Sequence, residues 1–215
     1  MIEAYRLVDK LERKHSLSLS EYKLLIESEN EALRTYVSNK AKTVATSIYG
    51  NFIYVRGLIE VGNYCRNDCL YCGIRKSNTN CDRYILDEED ILNCCKEGYD
   101  LGFRTFVLQG GEGIYKKDFV TSIVQKIHVL YPDCAITLSL GEEDKETYKE
   151  WFDAGANRYL LRHETASKGH YEKLHPENMS FEHRMQCLRD LKNIGYQVGC
   201  GSKENKRGWN VNSWE

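Results

Sequence analysis

Three cysteines close together in the sequence are the residues whose spacing most directly indicates chemistry. Cys65, Cys69 and Cys72 follow a short apolar run and have the spacing C-x3-C-x2-C. A closed structural zinc site needs four ligands, and the sequence has no second pair of cysteines at a similar spacing. Three thiolates on one loop instead suit an iron–sulfur cluster in which one iron keeps an open position. A zinc site and three unconnected thiols are the alternatives.

Composition limits the class of protein. The 215 residues include 30 basic and 32 acidic side chains, and a net charge of -2 gives no long-range attraction to nucleic acid or to an anionic membrane. No apolar run is long enough to cross a bilayer, and the first residues lack the basic and apolar stretches of a secretory signal. The 9 cysteines, an odd number, indicate reduced thiols. We therefore expect a cytoplasmic protein with neither nucleic-acid nor membrane partners.

The pattern of the sequence divides the chain into three segments. Residues 1–50 carry apolar side chains at helical intervals, and Ser18 followed by Glu21 predicts a capping box at the start of the second of two helices. Residues 51–202 alternate short apolar runs with amphipathic stretches. Residues 203–215 are polar and have no regular period, which predicts a divergent tail on a truncated chain.

Within residues 51–202, a predicted helix repeatedly stops at a glycine that is followed almost at once by a strand. Gly102, Gly155 and Gly195 occupy this position, where glycine accepts a left-handed backbone without a side-chain penalty. Strands are predicted at residues 53–61, 105–109, 135–140, 158–161 and 196–199. Strands alternating with helices predict an α/β fold with a parallel sheet, either open or part of a (β/α) barrel.

Polar and glycine residues follow the predicted strands at the end where active groups gather in such folds. The cysteine loop follows the first strand, and the run Gly110-Gly111-Glu112 follows the second. Gly141 and Glu142 follow the third strand, and residues 162–164 follow the fourth. We expect one functional site along this edge of the sheet.

The cysteine loop resembles that of radical S-adenosylmethionine enzymes, in which an aromatic residue precedes the last cysteine. Tyr71 matches that position, and the resemblance implies that it lies near the adenine of the cofactor. The run Gly110-Gly111-Glu112 resembles the segment that meets the amino group of the cofactor's methionine half, although an ordinary turn gives such a run too. The resemblance implies a [4Fe-4S] cluster whose open iron binds S-adenosyl-L-methionine and generates a 5′-deoxyadenosyl radical.

A wider set of motifs resembles the HydE type of FeFe-hydrogenase maturases. The matching segments include NYCRNDCLYCGIRKSN, LQGGE, ITLSLGE and RYLLRHETA, between about residues 56 and 202. The resemblance implies a radical SAM (β/α) barrel, which is incomplete here because only about five strands are predicted. It implies that Glu164 contacts the ribose hydroxyls, that Arg184 contacts the carboxylate, and that Gln109, Thr137 and Arg162 face the substrate cavity. The structural alternatives are a solvated arginine at position 184 and a mutual ion pair between Arg162 and Glu164.

The resemblance implies a role in assembling the hydrogenase di-iron site. The substrate would be a small molecule or an iron-bound cysteine precursor, and the partners would be a low-potential one-electron donor and other hydrogenase maturation proteins. The alternatives are a biotin-synthase-like or methylornithine-synthase-like enzyme and a non-catalytic metal-binding fragment. No residue is given a catalytic role of its own, and His163 and His170 are given no role. The remaining cysteines are expected to be small, mostly buried side chains: Cys81, Cys94, Cys95, Cys134, Cys187 and Cys200.

Overall fold

The sequence predicts two helices in the first segment, and the structure, a computed structural model that describes residues 2–201, has three. Their bounds are Ile2–Lys14 (α1), Leu19–Glu27 (α2) and Glu31–Tyr49 (α3). Ser18 and Glu21 form the predicted capping box at the start of α2. The pattern misses the start of α3, where the Asn30 side chain accepts a hydrogen bond from the Leu33 amide.

These three helices form a first compact unit, which ends at Tyr54. Its buried core is small and consists of Ala4, Val8 and Leu33, with three partly buried side chains around them: Tyr5, Leu25 and Tyr36. Ion pairs from the Lys40 ammonium to Asp9 at 3.1 Å and to Glu12 at 2.7 Å join α3 to α1.

A second unit begins at Val55 and contains a parallel sheet with the strand order β1-β2-β3-β4-β5. The strands are Gly57–Gly62 (β1), Thr105–Gly110 (β2), Ala135–Ser139 (β3), Arg158–Leu160 (β4) and Gln197–Gly199 (β5). The helices are Glu88–Asp100 (α4), Lys117–Leu130 (α5), Lys145–Asp153 (α6), Lys168–Leu174 (α7) and Phe181–Ile194 (α8). The predicted α/β fold with five parallel strands is confirmed. None of the helices within residues 2–201 has the length and apolar character needed to cross a bilayer.

The glycine junctions are confirmed, whereas the predicted start of the first strand is wrong. Gly102, Gly155 and Gly195 have φ angles of 94°, 122° and 117°, in the left-handed region. The first strand begins at Gly57 instead of residue 53, because its first pairing with β2 is Gly57 with Phe106. Residues 53–56 are exposed and outside the sheet. Residues 202–215, which include the predicted tail, lie outside the described residues, so that part of the domain prediction stays a prediction.

Alternating side chains give the sheet one apolar face and one face with polar groups. Ile59, Phe106 and Ile136 belong to the core that the sheet shares with helices α4, α5, α6 and α8. Successive side chains of a strand point to opposite faces, so their neighbours Glu60 and Thr137 lie on the other face. The core between the sheet and the helices stabilises the fold, and the opposite face of the sheet presents polar side chains.

Two valines on α5 test where that core lies. Val124 is 0% exposed and Val129 is 77% exposed. We expect Val124→Ala to lower the free energy of unfolding by about 2 kcal/mol, because it removes apolar contacts and leaves a cavity. The matched control Val129→Ala should change it by less than about 0.5 kcal/mol. Urea unfolding of the full chain measures both, and equal midpoints for the two variants would contradict this core.

Candidate cluster and cofactor site

The three cysteines lie on the loop that leaves β1 at the carboxyl edge of the sheet. All three are free thiols and are partly exposed. The loop is locally ordered: the Cys72 amide donates to the Cys69 carbonyl at 3.0 Å, and the Asn67 amide lies 3.5 Å from the Cys65 sulfur. This arrangement presents three thiols from one continuous segment.

The donors of this loop fit an iron–sulfur cluster. Burial raises the pKa of the Cys69 thiol to about 11, and the neighbouring Cys65 and Cys72 thiols add to the rise. In a cubane cluster each thiolate binds a separate iron, so three cysteines would leave one iron uncovered.

One guanidinium joins the two ends of the cysteine loop. Arg83 donates hydrogen bonds to the carbonyls of Asn63, Ile74 at 3.0 Å, Arg75 at 2.8 Å and Asn78 at 2.9 Å. Asn63 precedes the first cysteine, and the other three carbonyls follow the last one. A flat, fully charged fork suits several fixed carbonyls at once, and a lysine ammonium would not reproduce its geometry.

The glycine run after β2 allows the cysteine loop to approach the sheet. A Cβ atom at Gly111 would lie 1.8 Å from the Tyr64 carbonyl oxygen and 2.9 Å from the Cys65 Cβ. No side chain fits at such distances, so Gly111 must be glycine for this packing. The Arg66 amide donates to the Glu112 carbonyl at 2.9 Å and holds the two segments together.

A cluster of buried charges lies beside this contact. The Glu112 carboxylate receives Arg66 Nη2 at 3.0 Å and lies 3.6 Å from Arg184 Nη2. Arg184 Nε lies 2.6 Å from Glu142 Oε1 in a short ion pair. Gly141, at φ 93°, makes room for Glu112, because a Cβ there would lie 2.1 Å from Glu112 Cγ.

The electrostatics of this cluster follow from burial and from opposite charges. Burial alone would lower the pKa of Arg184, but Glu142 and Glu112 raise it above its ordinary value, so the guanidinium stays charged. Burial raises the pKa of Glu142, and Arg184 opposes that rise. The alternative of a solvated arginine at position 184 is wrong, since Arg184 is only 7% exposed.

The loop after β4 places Glu164 and Arg162 differently. Glu164 is buried, has a left-handed φ of 64° and donates its amide to the Gly201 carbonyl at 3.0 Å. A left-handed backbone costs a non-glycine residue free energy, and such residues concentrate at functional sites. Arg162 is exposed, and its carbonyl lies 3.3 Å from Arg184 Nη1. No ion pair joins Arg162 to Glu164 in the part of the chain that the structure describes.

Tyr71, Glu164 and Arg184 interact across the site. Burial raises the pKa of the Tyr71 phenol, the charge of Glu164 adds to the rise, and Arg184 opposes it. The phenol oxygen lies 3.1 Å from His175 Nε2. The cysteine loop, the fourth strand loop and α8 therefore contribute to one site, as the strand-end argument predicts.

Of the three residues expected at the substrate cavity, two lie on strands of the sheet and the third lies on the loop after β4. Gln109 ends β2 and donates to the Glu60 carboxylate at 2.8 Å. Thr137 is buried on β3, and its hydroxyl has no hydrogen-bond partner among residues 2–201. Arg162 follows β4 and is exposed.

Sequence reasoning misses several contributors to this site. Glu142, Arg66 and His175 receive no role from the sequence, yet each contacts a predicted site residue. Glu142 follows a predicted strand, so its position after β3 is a signal that points to it. The histidine has no such signal, because its contact with Tyr71 joins residues far apart in the chain.

The expectation for the other cysteines is correct only in part. Cys95, Cys134 and Cys187 are buried, Cys81 is partly buried, and Cys94 and Cys200 are exposed. On α4, the neighbours Cys94 and Cys95 point in different directions, because adjacent helical residues lie about 100° apart around the axis. The apolar character of a cysteine side chain is therefore not enough to predict that both Cys94 and Cys95 are buried.

The comparisons with known proteins agree with this geometry. The family described as the Radical SAM superfamily matches residues 59–202. The chain is 43% identical over 163 residues to the [FeFe] hydrogenase maturase subunit HydE of Thermotoga maritima, covering 75% of this chain and 46% of that protein. It is 30% identical to a 3-methylornithine synthase of Methanosarcina acetivorans, covering 83% of this chain and 50% of that protein. The chain thus spans about half the length of these curated relatives.

Solved structures give the same result for the fold. The crystal structure of methylornithine synthase (PylB) superposes with a TM-score of 0.84 at 27% identity, covering 96% of this chain and 61% of that one. The crystal structure of HydG, a maturase of the [FeFe]-hydrogenase, superposes with a TM-score of 0.82 at 23% identity, covering 93% and 46%. At that identity the second likeness speaks for the fold alone.

The contact between Gly111 and Tyr64 can be tested with a pair of glycine variants. We expect Gly111→Ala to cost about 3 kcal/mol or more of stability and to lower iron uptake sharply, because a backbone carbonyl cannot move away as a side-chain tip can. Gly73→Ala is the matched control in the cysteine loop, since a Cβ there meets nothing within 4 Å. Iron per chain after anaerobic reconstitution and urea unfolding are the measurements. Equal values for both variants would show that the close approach is unimportant.

Proposed function

Because the chain belongs to the radical S-adenosylmethionine superfamily, we propose that Cys65, Cys69 and Cys72 hold a [4Fe-4S] cluster whose open iron binds S-adenosyl-L-methionine. The observation that carries this proposal is the position of the cysteine loop: its three cysteines are free thiols, and Tyr64 and Cys65 lie against Gly111 at the carboxyl edge of the sheet. When bound, the reduced cluster and its cofactor supply a 5′-deoxyadenosyl radical that abstracts hydrogen from a substrate. The protein's own residues bind and orient these groups.

Four side chains around the loop would hold the cofactor. Arg184 is buried and charged, and its guanidinium suits the carboxylate of the methionine half. The run from Gly110 to Glu112 brings backbone and a buried carboxylate to the amino group. Glu164 would accept hydrogen bonds from the ribose hydroxyls, and Tyr71 would lie beside the adenine. Glu142 would keep the Arg184 guanidinium oriented from the opposite side.

The substrate would lie over the polar face of the sheet. Gln109, Thr137 and Arg162 would contact it, and the unpartnered Thr137 hydroxyl would receive a hydrogen bond. These groups offer an amide, a hydroxyl and a cation, which suit a small polar or anionic molecule. Such groups would suit the substrate of a maturase and that of a methylornithine-synthase-like or biotin-synthase-like enzyme equally well.

We favour a role in assembling the active site of FeFe-hydrogenase, because the maturase relative shares a higher identity than the others compared. The substrate would then be an iron-bound cysteine precursor, with a low-potential one-electron donor and other hydrogenase maturation proteins as partners. Such chemistry needs reduced thiols, which favours the cytoplasm. The second candidate is a methylornithine-synthase-like or biotin-synthase-like enzyme with an organic substrate, which the structural likeness to PylB supports.

The cluster assignment predicts different results for two cysteine variants. Cys69→Ala should abolish stable cluster binding, because it removes one of only three protein ligands. Cys134→Ala is the control, since Cys134 is also a free thiol, but it is buried and immediately precedes β3, away from the loop. Iron and sulfide per chain after anaerobic reconstitution give the comparison. Equal iron content in both variants would contradict the ligand assignment.

The choice between the two functions requires a product assay. We expect the reconstituted chain to support activation of an FeFe-hydrogenase in a maturation mixture that lacks its HydE component, and the Cys69→Ala variant to fail. Hydrogenase activity should appear in that mixture only when the intact chain is added. Formation of 3-methylornithine or biotin without hydrogenase activation would favour the second candidate. An intact cluster with no product in any mixture would mean that this chain binds metal without turnover.

A further inference from the structure

His175 follows α7 and has both ring nitrogens engaged. Its Nδ1 lies 2.9 Å from the Tyr171 carbonyl oxygen, and its Nε2 lies 3.1 Å from the Tyr71 hydroxyl. The side chain is buried, at 5% exposure. A histidine held at both nitrogens has a fixed ring plane, unlike one on a solvated loop.

These contacts determine which nitrogen carries the hydrogen. A carbonyl oxygen only accepts, so Nδ1 must be protonated and donate to Tyr171. Burial lowers the pKa of His175 and Arg184 lowers it further, while the hydrogen bond to the Tyr171 carbonyl opposes the fall; the net lowering favours the neutral ring. In that tautomer Nε2 has a lone pair and accepts from the Tyr71 O–H. The Cys69 sulfur is a second hydrogen-bond partner of the Tyr71 phenol.

Aromatic packing fixes the same pair from two sides. The His175 ring stacks on Tyr171 with centroids 3.8 Å apart and an interplanar angle of 17°. It meets the Tyr71 ring edge to face, at 5.4 Å and 81°. The Tyr171 ring is fully buried, so it forms a rigid base for the imidazole.

The segment around His175 is also attached to the cysteine loop by its backbone and by sulfur contacts. The Leu70 amide donates to the Leu174 carbonyl at 3.0 Å. The Cys69 and Met179 sulfurs lie 3.6 Å apart. Residues 69–71 of the loop and residues 174–179 therefore contact each other at three consecutive loop positions, with Tyr71 and His175 as one of the pairs.

We propose that His175 is a positioning residue, which accepts the Tyr71 hydroxyl hydrogen at Nε2 and holds the Tyr71 ring in the orientation that binds the nucleoside of the cofactor. The proposal rests on the assignment of Tyr71 to the cofactor site under the proposed function. A tyrosine that is fixed before binding loses little side-chain entropy when the nucleoside arrives, and this favours affinity. His175 itself does not touch the cofactor.

Four variants and one control test this role in the full chain after anaerobic reconstitution. The variants are His175→Phe, His175→Gln, Tyr71→Phe and the double variant His175→Phe with Tyr71→Phe. The control is His170→Phe, because His170 lies on α7 just before His175, and its ring forms a hydrogen bond with the Thr165 hydroxyl and none with Tyr71 among the described residues. The readouts are iron per chain, thermal stability and the Kd of S-adenosyl-L-methionine, measured by titrating the electron paramagnetic resonance change of the reduced cluster.

We expect His175→Phe to raise the Kd about fivefold, the worth of one buried hydrogen bond, with unchanged iron content. His175→Gln should restore most of the affinity, because an amide oxygen accepts the same hydrogen. In the Tyr71→Phe background, His175→Phe should have no further effect on the Kd. His170→Phe should leave the Kd unchanged.

Two results would overturn the positioning role while leaving the proposed function intact. The first is an unchanged Kd in His175→Phe when Tyr71→Phe weakens binding. The second is an equal loss from His175→Phe with and without the Tyr71 hydroxyl. An unchanged Kd in Tyr71→Phe would reject the assignment of Tyr71, and the positioning role with it. A cluster signal that ignores the cofactor in the unaltered chain would reject the proposed function itself.

Discussion

The close approach of Gly111 to the Tyr64 carbonyl is the constraint on which the rest of the site depends. It allows the loop after β1 to lie against the segment after β2 without an intervening side chain. The same approach brings Glu112 beside Arg66 and under Arg184. Parallel strands end at one edge of the sheet, so a contact between two neighbouring loops gathers groups from several strands there.

The buried charges are the second requirement of this arrangement. Arg184 lies between Glu112 and Glu142, and each of the three is less than a tenth exposed. Removing a charge from water is costly unless it is paired, so the Arg184 guanidinium depends on Glu142 and Glu112 for its charged form. Its Nε lies 2.6 Å from Glu142, and its Nη2 lies 3.6 Å from Glu112.

Local sequence signals predicted the parts of the structure that short segments determine. The glycine junctions at Gly102, Gly155 and Gly195 depend on one residue's backbone freedom, and the Ser18 capping box depends on residues three apart. The apolar run predicts β1 four residues too early, because a strand needs a partner and the pairing with β2 begins only at Gly57. The apolar character of residues 53–55 carries no information about whether a partner strand is present.

The part of the site that the sequence does not predict depends on contacts between residues far apart in the chain. The cysteines, the glycine run and the strand-end carboxylates could be named from their spacing and order. The burial of Arg184 required two carboxylates that lie about 40 and 70 residues earlier in the chain, as the ion pairs show. His175 joins Tyr71 across 104 residues, and neither position has a sequence pattern that refers to the other.

Electron paramagnetic resonance of the anaerobically reconstituted, reduced protein, recorded with and without S-adenosyl-L-methionine, tests the central claim most directly. An open iron on a three-cysteine cluster should give a four-iron signal that changes when the cofactor is added. A signal that ignores the cofactor, or zinc bound in place of iron, would contradict the account.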